Sequence, residues 1–276
     1  MPGHHVLPLH GRSDSRPPAP AIDDVVRRTR LSRSVTAARV SVVTAAQMRE
    51  VDRLMVEDFG ISLLQMMENA GRALANLTRV HLSGLAHRKV VVLAGKGGNG
   101  GGGLAAARRL TIWGADVRVV LAHPTASLAD VPRHQLSALE AMDVPITPAA
   151  EAGPALGTSE LILDALLGYS LVGPPRDHEA GLIRAANSSG VPIIALDLPS
   201  GLDPDVGTPH DPTIRAVRTM TLALPKAGLL RPGAAEWVGE LWLADISVPA
   251  QAYAAFGIRP GPLFAESDLV RVGGRI

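Results

Sequence analysis

The 276-residue chain has a composition typical of a globular α/β protein, with 46% hydrophobic and 19% charged residues. Aromatic residues make up only 3%, so the core must be aliphatic, which suits a parallel sheet covered by helices on both faces. The absence of cysteine excludes disulfides, thiolate metal sites and cysteine nucleophiles.

The net charge of +1 gives no field for nucleic acid. The sequence contains neither a stretch of about 20 apolar residues nor a secretory signal pattern. We therefore expect a cytoplasmic protein without nucleic-acid or membrane partners.

The first 40 residues differ in composition from the rest of the chain. They hold seven arginines against three aspartates and a proline-rich run over residues 17–20. Such a segment cannot bury enough apolar surface to offset the entropy of ordering it. We predict a disordered basic tail over residues 1–40 and one folded domain over residues 41–276. A solvated tail is the preferred interpretation, and contact with RNA or acidic lipid is the alternative.

Two helices are predicted before the first strand. Thr44 and Gln47 have the spacing of a capping box, and apolar residues then repeat at helical period up to about Asp58. Phe59-Gly60 ends this helix, and a second helical pattern follows over residues 63–77.

Apolar runs then alternate with helical patterns. The predicted strands are 90–94, 117–122, 161–165, 192–196, 220–224 and 241–246, and the predicted helices among them are 104–113, 134–142 and 179–187. This alternation is typical of βαβ units with right-handed crossovers. The sequence therefore predicts an α/β fold with a largely parallel sheet and N-terminal helices.

A glycine-rich segment, GKGGNGGGG over residues 95–103, lies between the first large strand and a helix. Backbone N–H groups and a helix N-terminus in this arrangement face an anion, so we expect a nucleotide-like ligand at a glycine-rich turn. Asn99 is the only side chain of the segment that offers an oxygen atom. The alternative is that the glycines only permit tight packing of strand and helix.

Two familiar nucleotide motifs fit this segment poorly. The dinucleotide fingerprint requires a carboxylate at the end of the second strand, where this chain has Ala122 and His123. A Walker A loop requires its lysine directly before Ser or Thr, whereas Lys96 precedes Gly97. A conventional nicotinamide dehydrogenase and an ATPase are both disfavoured.

Oxygen-bearing side chains follow two further strands. Asp164 comes directly after an apolar run, and Asp197 and Ser200 follow the next one. Because ligands bind beyond the carboxyl ends of parallel strands, we expect these side chains near the glycine segment. Asn99, Asp164 and Ser200 would form an all-oxygen site with one negative charge, suited to a weakly hydrated monovalent cation or, less well, to Mg²⁺. The alternative is that each aspartate caps a turn or helix.

Several other polar residues have simpler interpretations. Asp203 and Asp205 are flanked by Pro and Gly and are expected in a turn. Lys226 follows an apolar run and either reaches a phosphate or is solvated. His178 is interpreted as a residue at a helix start rather than as a base.

Seven segments, in this order and spacing, resemble the NAD(P)H-hydrate epimerase family, also called the YjeF N-terminal domain. They are VTAAQMREVDRLMVEDFGI, MMENAGRALA, GKGGNGGGGLAAARRL, DALLG, VPIIALDLPSGLDPDVG, LALPKAGLLRPGA and ELWLADISVP, and the match covers about residues 41–260. The resemblance implies a three-layer Rossmann-like sandwich. It also implies an isomerase that inverts the hydroxyl configuration at C6 of hydrated NADH or NADPH.

The resemblance also implies roles for single residues. Asn99, Asp164 and Ser200 would be ligands of potassium, K⁺, and Asp197 is the catalytic candidate. The residues implied to contact the hydrated dinucleotide are Gly98, Asn99, Gly100, Gly101, Gly102, Gly168, Tyr169, Ser170, Leu171, Val172, Gly173, Pro174 and Asp197. A separate ATP-dependent dehydratase is the implied pathway partner, and a homodimer is compatible with this interpretation.

The chain departs from the family pattern G-x-G-N-N-G-G-D-G at two positions. Gly98 replaces an asparagine and Gly102 replaces the aspartate. No carboxylate can act from position 102, so an acid/base role would fall to Asp197, Asp164 or water. The alternative function is therefore a catalytically impaired nucleotide-binding or scaffold member of the same family.

Overall fold

The computed structural model of the chain describes residues 34–37 and 40–273. Its strands are β1 (Ser34–Thr36), β2 (Lys89–Ala94), β3 (Asp116–Leu121), β4 (Ile146–Pro148), β5 (Leu161–Ala165), β6 (Ile193–Leu196), β7 (Arg218–Leu222), β8 (Glu240–Ala244) and β9 (Leu269–Gly273). Its α-helices are α1 (Ala45–Glu57), α2 (Leu63–His81), α3 (Gly98–Ile112), α4 (Asp130–Glu140), α5 (Ala152–Thr158), α6 (Asp177–Ser188), α7 (Ala235–Val238) and α8 (Ala250–Ala254). Short 3₁₀ helices occupy Thr125–Ser127, Ala149–Glu151, Ala227–Leu230 and Pro232–Ala234.

The described residues form one nine-stranded sheet in the order β1-β9-β8-β7-β6-β5-β2-β3-β4. Every neighbouring pair is parallel except β8 and β9. After β2 the chain builds β3 and β4 on one side and then returns to the other side of β2 as β5. The strand order thus reverses between β2 and β5, and the crevice beyond such a reversal is where open α/β sheets bind ligands.

Helices cover both faces of the sheet because its central strands are apolar on both faces. Val90 and Val92 of β2 belong to the cluster formed with α2, α3 and α4, whereas Val91 and Leu93 pack with α5 and α6. Successive side chains of a strand point to opposite faces, which explains this division. The predicted three-layer α/β/α sandwich is confirmed.

The two N-terminal helices begin where the sequence predicted. Thr44 Oγ1 accepts a hydrogen bond from Gln47 N at 3.1 Å, and Gln47 Oε1 accepts one from Thr44 N at 2.9 Å. Ser62 and Gln65 form the same capping box before α2. These contacts satisfy backbone N–H groups that the first helical turn leaves without partners.

The predicted strands correspond to β2, β3, β5, β6, β7 and β8, with ends shifted by two residues at most. The elements β4, α5, α7, α8 and β9 were not predicted. The strand β4, with three residues, and the helix α5, with seven, are too short for a hydrophobic period to become visible. Within the described part of the chain, no helix is both long and apolar enough to cross a lipid bilayer.

The predicted disordered tail needs one correction. Ser34–Thr36 forms an edge strand that pairs in parallel with β9, and Val35 packs against the apolar cluster beneath it. A β-branched residue between two small polar residues suits such a half-buried edge. Residues 1–33, 38 and 39 lie outside the described residues, so disorder there stays a prediction.

Candidate active site

A pocket of about 640 Å³ lies at the carboxyl ends of the central strands, where the strand order reverses. The glycine segment after β2 forms one wall, and the residues after β5 and β6 form another. Helices α1 and α2 contribute side chains such as Asp52 and Met66. The predicted binding edge is therefore a concave site rather than an open surface, as small-molecule sites usually are.

The turn in the glycine segment is shorter than the sequence predicted, because it ends at Gly97. Helix α3 begins at Gly98 with Gly97 as its N-cap, so the residues from Gly98 to Gly103 are helical rather than loop. No side chain caps this helix start. The free N–H groups of the first turn therefore remain available to a ligand at the pocket.

Some of these glycines are required by packing. A Cβ atom on Gly101 would lie 2.3 Å from Met67 Sδ, and one on Gly103 would lie 2.4 Å from Ala165 Cβ. A side chain at Gly103 would force α3 away from β5, whereas one at Gly101 would require the flexible Met67 side chain to move. The alternative that glycines serve tight packing of strand and helix therefore applies to Gly103.

The two positions at which this chain departs from the family pattern have more room. Gly98 and Gly102 lie one helical turn apart and both line the pocket. A Cβ atom on Gly98 would meet only Met67 Cε, at 3.6 Å, and one on Gly102 would lie 3.0 Å from Leu196 Cδ2. Small movements would therefore admit side chains at both positions.

Asn99, Asp164 and Ser200 lie together, as the sequence predicted, around the backbone of Leu167. Ser200 donates from Oγ to Asp164 Oδ1 at 2.7 Å and from N to Asp164 Oδ2 at 2.8 Å. Leu167 N donates to Ser200 Oγ at 2.9 Å, and Asn99 Nδ2 donates to Leu167 O at 3.1 Å. These contacts bring the oxygen-bearing side chains of Asn99, Asp164 and Ser200 together around Leu167. Asn99 and Leu167 line the pocket, whereas Asp164 and Ser200 are buried outside its lining.

Asp164 is fully buried and, among the described residues, has hydrogen bonds but no ion pair. Burial raises the pKa of its carboxyl to about 6, against the lowering effect of the Ser200 and Leu166 hydrogen bonds. A buried carboxylate without a cationic neighbour is costly unless a cation joins it. The oxygen-only donor set fits a weakly hydrated monovalent cation.

Asp197 lies at the end of the neighbouring strand β6 in a different environment. Lys226 Nζ donates to its Oδ1 at 2.5 Å and to Leu222 O at 3.1 Å. Both side chains are almost completely buried, at 4% and 1% exposure for Asp197 and Lys226. The interpretation of Lys226 as solvated was wrong, because its ammonium group is buried and paired with a carboxylate. Contact of Lys226 with a phosphate stays a prediction.

The backbone of Asp197 has a positive φ of 68°. A non-glycine residue in this region costs of the order of 1 to 3 kcal/mol and persists only where surrounding contacts impose it. Here Asp197 N donates to Met220 O at 2.8 Å, and Tyr169 N donates to Asp197 Oδ2 at 3.2 Å. The strained residue is the catalytic candidate of the sequence, and it lines the pocket.

Sequence reasoning missed a second carboxylate at the pocket. Tyr169 donates from its hydroxyl to Asp52 Oδ2 at 2.5 Å, and both residues are half-buried. Burial raises the pKa of the Asp52 carboxyl, and burial with the Asp52 charge raises the pKa of the Tyr169 phenol. A signal was available, because Asp52 interrupts the apolar stripe of α1 between Met48 and Met55.

The predicted ligand residues occupy different positions relative to the pocket. Its lining includes Gly98, Asn99, Gly102, Gly168, Tyr169, Ser170 and Asp197, whereas Gly100, Gly101, Leu171, Val172, Gly173 and Pro174 lie outside it. Val172 is 84% exposed. Contact of all these residues with a hydrated dinucleotide stays a prediction.

The remaining polar candidates have structural roles. Asp203 Oδ1 accepts from the backbone N–H groups of Asp205 and Val206, both at 2.9 Å, as expected in a turn. Asp205 Oδ1 accepts from Ala45 N at 2.7 Å and so joins this turn to the start of α1. His178 is exposed in the first turn of α6, as predicted.

Comparison with known proteins agrees with this geometry. The family described as YjeF-related protein N-terminus matches residues 63–228, which is more than half of the chain. The chain belongs to this family. Members of the YjeF N-terminal family similar to it include a protein of Dehalogenimonas lykanthroporepellens named NAD(P)H-hydrate epimerase. It is 44% identical over 222 residues, covering 80% of this chain and 87% of the relative.

Two further relatives place the chain within the family. A protein of Rhodopirellula baltica, also named NAD(P)H-hydrate epimerase, is 36% identical over 78% of this chain and 88% of its own length. A protein of Moorella thermoacetica named bifunctional NAD(P)H-hydrate repair enzyme Nnr is 34% identical, and the match covers 77% of this chain and 42% of that protein.

A solved structure supports the fold assignment. The crystal structure of yeast ynu0, YNL200c, superimposes with a TM-score of 0.72 at 25% identity, covering 84% of this chain and all of that one. The family's sandwich is therefore reproduced over most of the described chain.

Proposed function

We propose that the protein is an NAD(P)H-hydrate epimerase, which interconverts the R and S epimers of hydrated NADH and NADPH. The observation that carries the proposal is the 44% identity, over 80% of the chain, to a relative of that name. The pocket supports it, because the matched region contributes residues of the glycine segment, Asp197 and Lys226 to its lining.

The chemistry of inversion needs proton transfer but no net oxidation. The reacting carbon bears a hydroxyl group and the ring nitrogen. When a base takes the hydroxyl proton, the C–N bond can break with its electron pair on nitrogen, leaving an aldehyde. Attack of the nitrogen on the other face of the aldehyde, with return of the proton to oxygen, gives the opposite epimer.

Asp197 is the residue proposed to hold and return this proton. Lys226 holds its Oδ1, whereas its Oδ2 has a longer contact, 3.2 Å, with Tyr169 N. The carboxylate therefore has a fixed orientation and an oxygen with remaining acceptor capacity. Positioned carboxylates typically contribute about 10² to 10⁴-fold to such reactions.

We also propose that potassium binds at Asn99, Asp164 and Ser200. When bound, it would supply a positive charge beside the buried Asp164 carboxylate. The chain's own residues fix the neighbouring loop. Ser200 Oγ accepts a hydrogen bond from the backbone N–H of Leu167, and Asn99 Nδ2 donates one to the Leu167 carbonyl. The free N–H groups at the start of α3 are proposed to bind the pyrophosphate of the dinucleotide.

The proposed pathway partner is an ATP-dependent dehydratase, and the proposed location is the cytoplasm. The relatives named bifunctional repair enzymes support the partner.

An epimerisation assay tests the proposal. Purified protein, produced in a host that lacks its own epimerase, is mixed with both epimers, ATP and an S-specific dehydratase in potassium buffer. We expect the R epimer to disappear faster than it does spontaneously, with an Asp197→Asn variant as the matched control. Loss of the R epimer at the spontaneous rate would show that the proposal is wrong.

The impaired-member alternative is tested by restoring the family residues. Gly98→Asn with Gly102→Asp introduces side chains at the two positions that have room for them. A large gain from an inactive parent supports the binding or scaffold alternative, whereas an active parent excludes it.

A further inference from the structure

The contact between Asp52 and Tyr169 joins two distant parts of the chain at the pocket. Asp52 lies in α1, whereas Tyr169 lies in the loop that follows β5, 117 residues later. The Asp52 oxygen accepts from the Tyr169 hydroxyl at 2.5 Å. A hydrogen bond to an ionised acceptor at this separation belongs to the stronger class of protein hydrogen bonds.

Tyr169 is held at both of its ends. Its backbone N–H donates to Asp197 Oδ2 at 3.2 Å, while its hydroxyl donates to Asp52. Its ring lies 5.6 Å from Lys226 Nζ, within the range of a cation–π contact. One side chain thus spans from α1 to the Asp197–Lys226 pair.

Tyr169 also anchors the exposed part of its loop to other elements. Toward β5, the peptide of Leu167 is held by Ser200 and Asn99. Beyond Tyr169, Ser170 is exposed and Val172 is 84% exposed. This part of the loop is held internally by the hydrogen bond from Leu171 N to Gly168 O at 3.1 Å, and Tyr169 joins it to Asp197 and to Asp52.

The position of Asp52 in α1 is unusual for a carboxylate. It occupies the apolar stripe of α1 between Met48 and Met55, where an apolar residue would pack against the same cluster. Removing a carboxylate from water is costly, and the Tyr169 hydroxyl is the hydrogen-bond donor that offsets this cost. Tyr169 keeps its proton and remains the donor because its phenol pKa is raised by burial and by the Asp52 charge.

We propose that Asp52 is a positioning residue that acts through the Tyr169 hydroxyl and fixes the loop over residues 168–170 against Asp197. This role rests on the proposed epimerase function for its kinetic effect, but not for its structural effect. The competing role is a proton-transfer group that contacts the substrate directly. The two roles differ in whether Asp52 matters once the Tyr169 hydroxyl is gone.

A double-mutant cycle separates these roles. Asp52→Ala and Tyr169→Phe are each expected to raise KM for the hydrated dinucleotide about tenfold, the typical effect of losing one charge-assisted hydrogen bond, with a smaller change in kcat. The double variant is expected to match the single variants within about twofold, because both substitutions remove the same contact. Asp52→Asn keeps an acceptor oxygen and should recover part of the loss. A KM raised about a hundredfold in the double variant would show that the two single effects multiply, and this would overturn the proposal. A loss of kcat confined to Asp52→Ala would also overturn it.

Hydrogen exchange provides a readout that needs no epimerase activity. In Asp52→Ala and in Tyr169→Phe, the amides of residues 168–171 should exchange about tenfold faster than in the parent, with no further increase in the double variant. Asp58→Ala, which changes an exposed aspartate just beyond the same helix, is the matched control and should leave these amides unchanged. Unchanged exchange in folded Asp52→Asn and Asp52→Ala contradicts the positioning role. An inactive parent with the expected exchange pattern contradicts only the epimerase function.

Discussion

Asp164 and Asp197 stand at the ends of neighbouring parallel strands, and the sequence around them is similar, yet their electrostatic surroundings differ. Asp164 has three hydrogen bonds from Ser200 and Leu166 and no cationic partner among the described residues. Asp197 is paired with the Lys226 ammonium group. Position in the fold brings both carboxylates to the same edge of the sheet, but the partner supplied from elsewhere decides whether each one suits a cation or proton transfer.

The largest expected effect is on catalysis and separates the two carboxylates. Asp197→Asn keeps an acceptor for Lys226 but cannot take a proton, so kcat should fall about 10³-fold. Asp164→Asn leaves the proposed proton-transfer group in place, and its loss of kcat should be much smaller. Steady-state rates of both variants at saturating substrate check this order. Equal losses would show that the two carboxylates do not have separate roles.

The next effect concerns stability and depends on the ion pair. Lys226→Met leaves Asp197 buried without its cation and should lower the free energy of unfolding by about 3 to 5 kcal/mol. Adding Asp197→Asn removes the unpaired charge and should recover much of this loss. Urea denaturation of both variants measures the difference. A loss below about 1 kcal/mol for Lys226→Met would contradict a tight buried pair.

The pH dependence of stability should expose the carboxylate that lacks a counter-charge. The pKa of Asp164 is about 6 in the fold and 3.8 in an ordinary carboxyl, so the folded protein binds this proton more tightly than the unfolded chain. The contribution of Asp164 to the free energy of unfolding is therefore greatest at low pH. It falls by about 3 kcal/mol as pH rises from about 4 to about 6. Asp164→Asn should remove this component. Denaturation midpoints in a buffer with only a large organic cation provide the test, and identical slopes in both proteins would contradict it.

The smallest expected effect is the response to potassium. At ten times its dissociation constant, a cation bound only by the folded state stabilises by about 1.4 kcal/mol. Asp164→Ala should abolish this response, whereas Ser200→Ala, which removes a neutral oxygen, should weaken it. Melting temperatures in potassium and in a large organic cation measure it. Equal melting temperatures of the parent in both salts would argue that Asp164 only caps a turn.

Sequence reasoning predicted the central strands and the corner formed by Asn99, Asp164 and Ser200, because both follow from strand patterns and from the shared edge of a parallel sheet. It did not predict the partners of Asp197 and of Asp52. Those contacts join residues 29 and 117 positions apart, and no local pattern encodes them.

The glycine segment shows a different limit. The succession of strand, glycines and helix predicts a turn over residues 95–103, and glycine has the lowest helix propensity apart from proline. The close packing of α3 on β5, where a Cβ atom on Gly103 would lie 2.4 Å from Ala165 Cβ, favours a helix without side chains there instead. Tertiary packing has overridden local preference at the very residues that line or support the pocket.

This helix start has a thermodynamic consequence for ligand binding. Each glycine in a helix interior costs about 1 kcal/mol relative to alanine, so the first turns of α3 have little tendency to order by themselves. Docking against α2 supplies the missing order, and a Cβ atom on Gly71 of α2 would lie 2.5 Å from Ala105 Cβ in α3. Apparent affinity scales with the fraction of molecules in the binding-competent state. The buried face of α2 that packs against α3 therefore acts as a control on how tightly the pocket can bind.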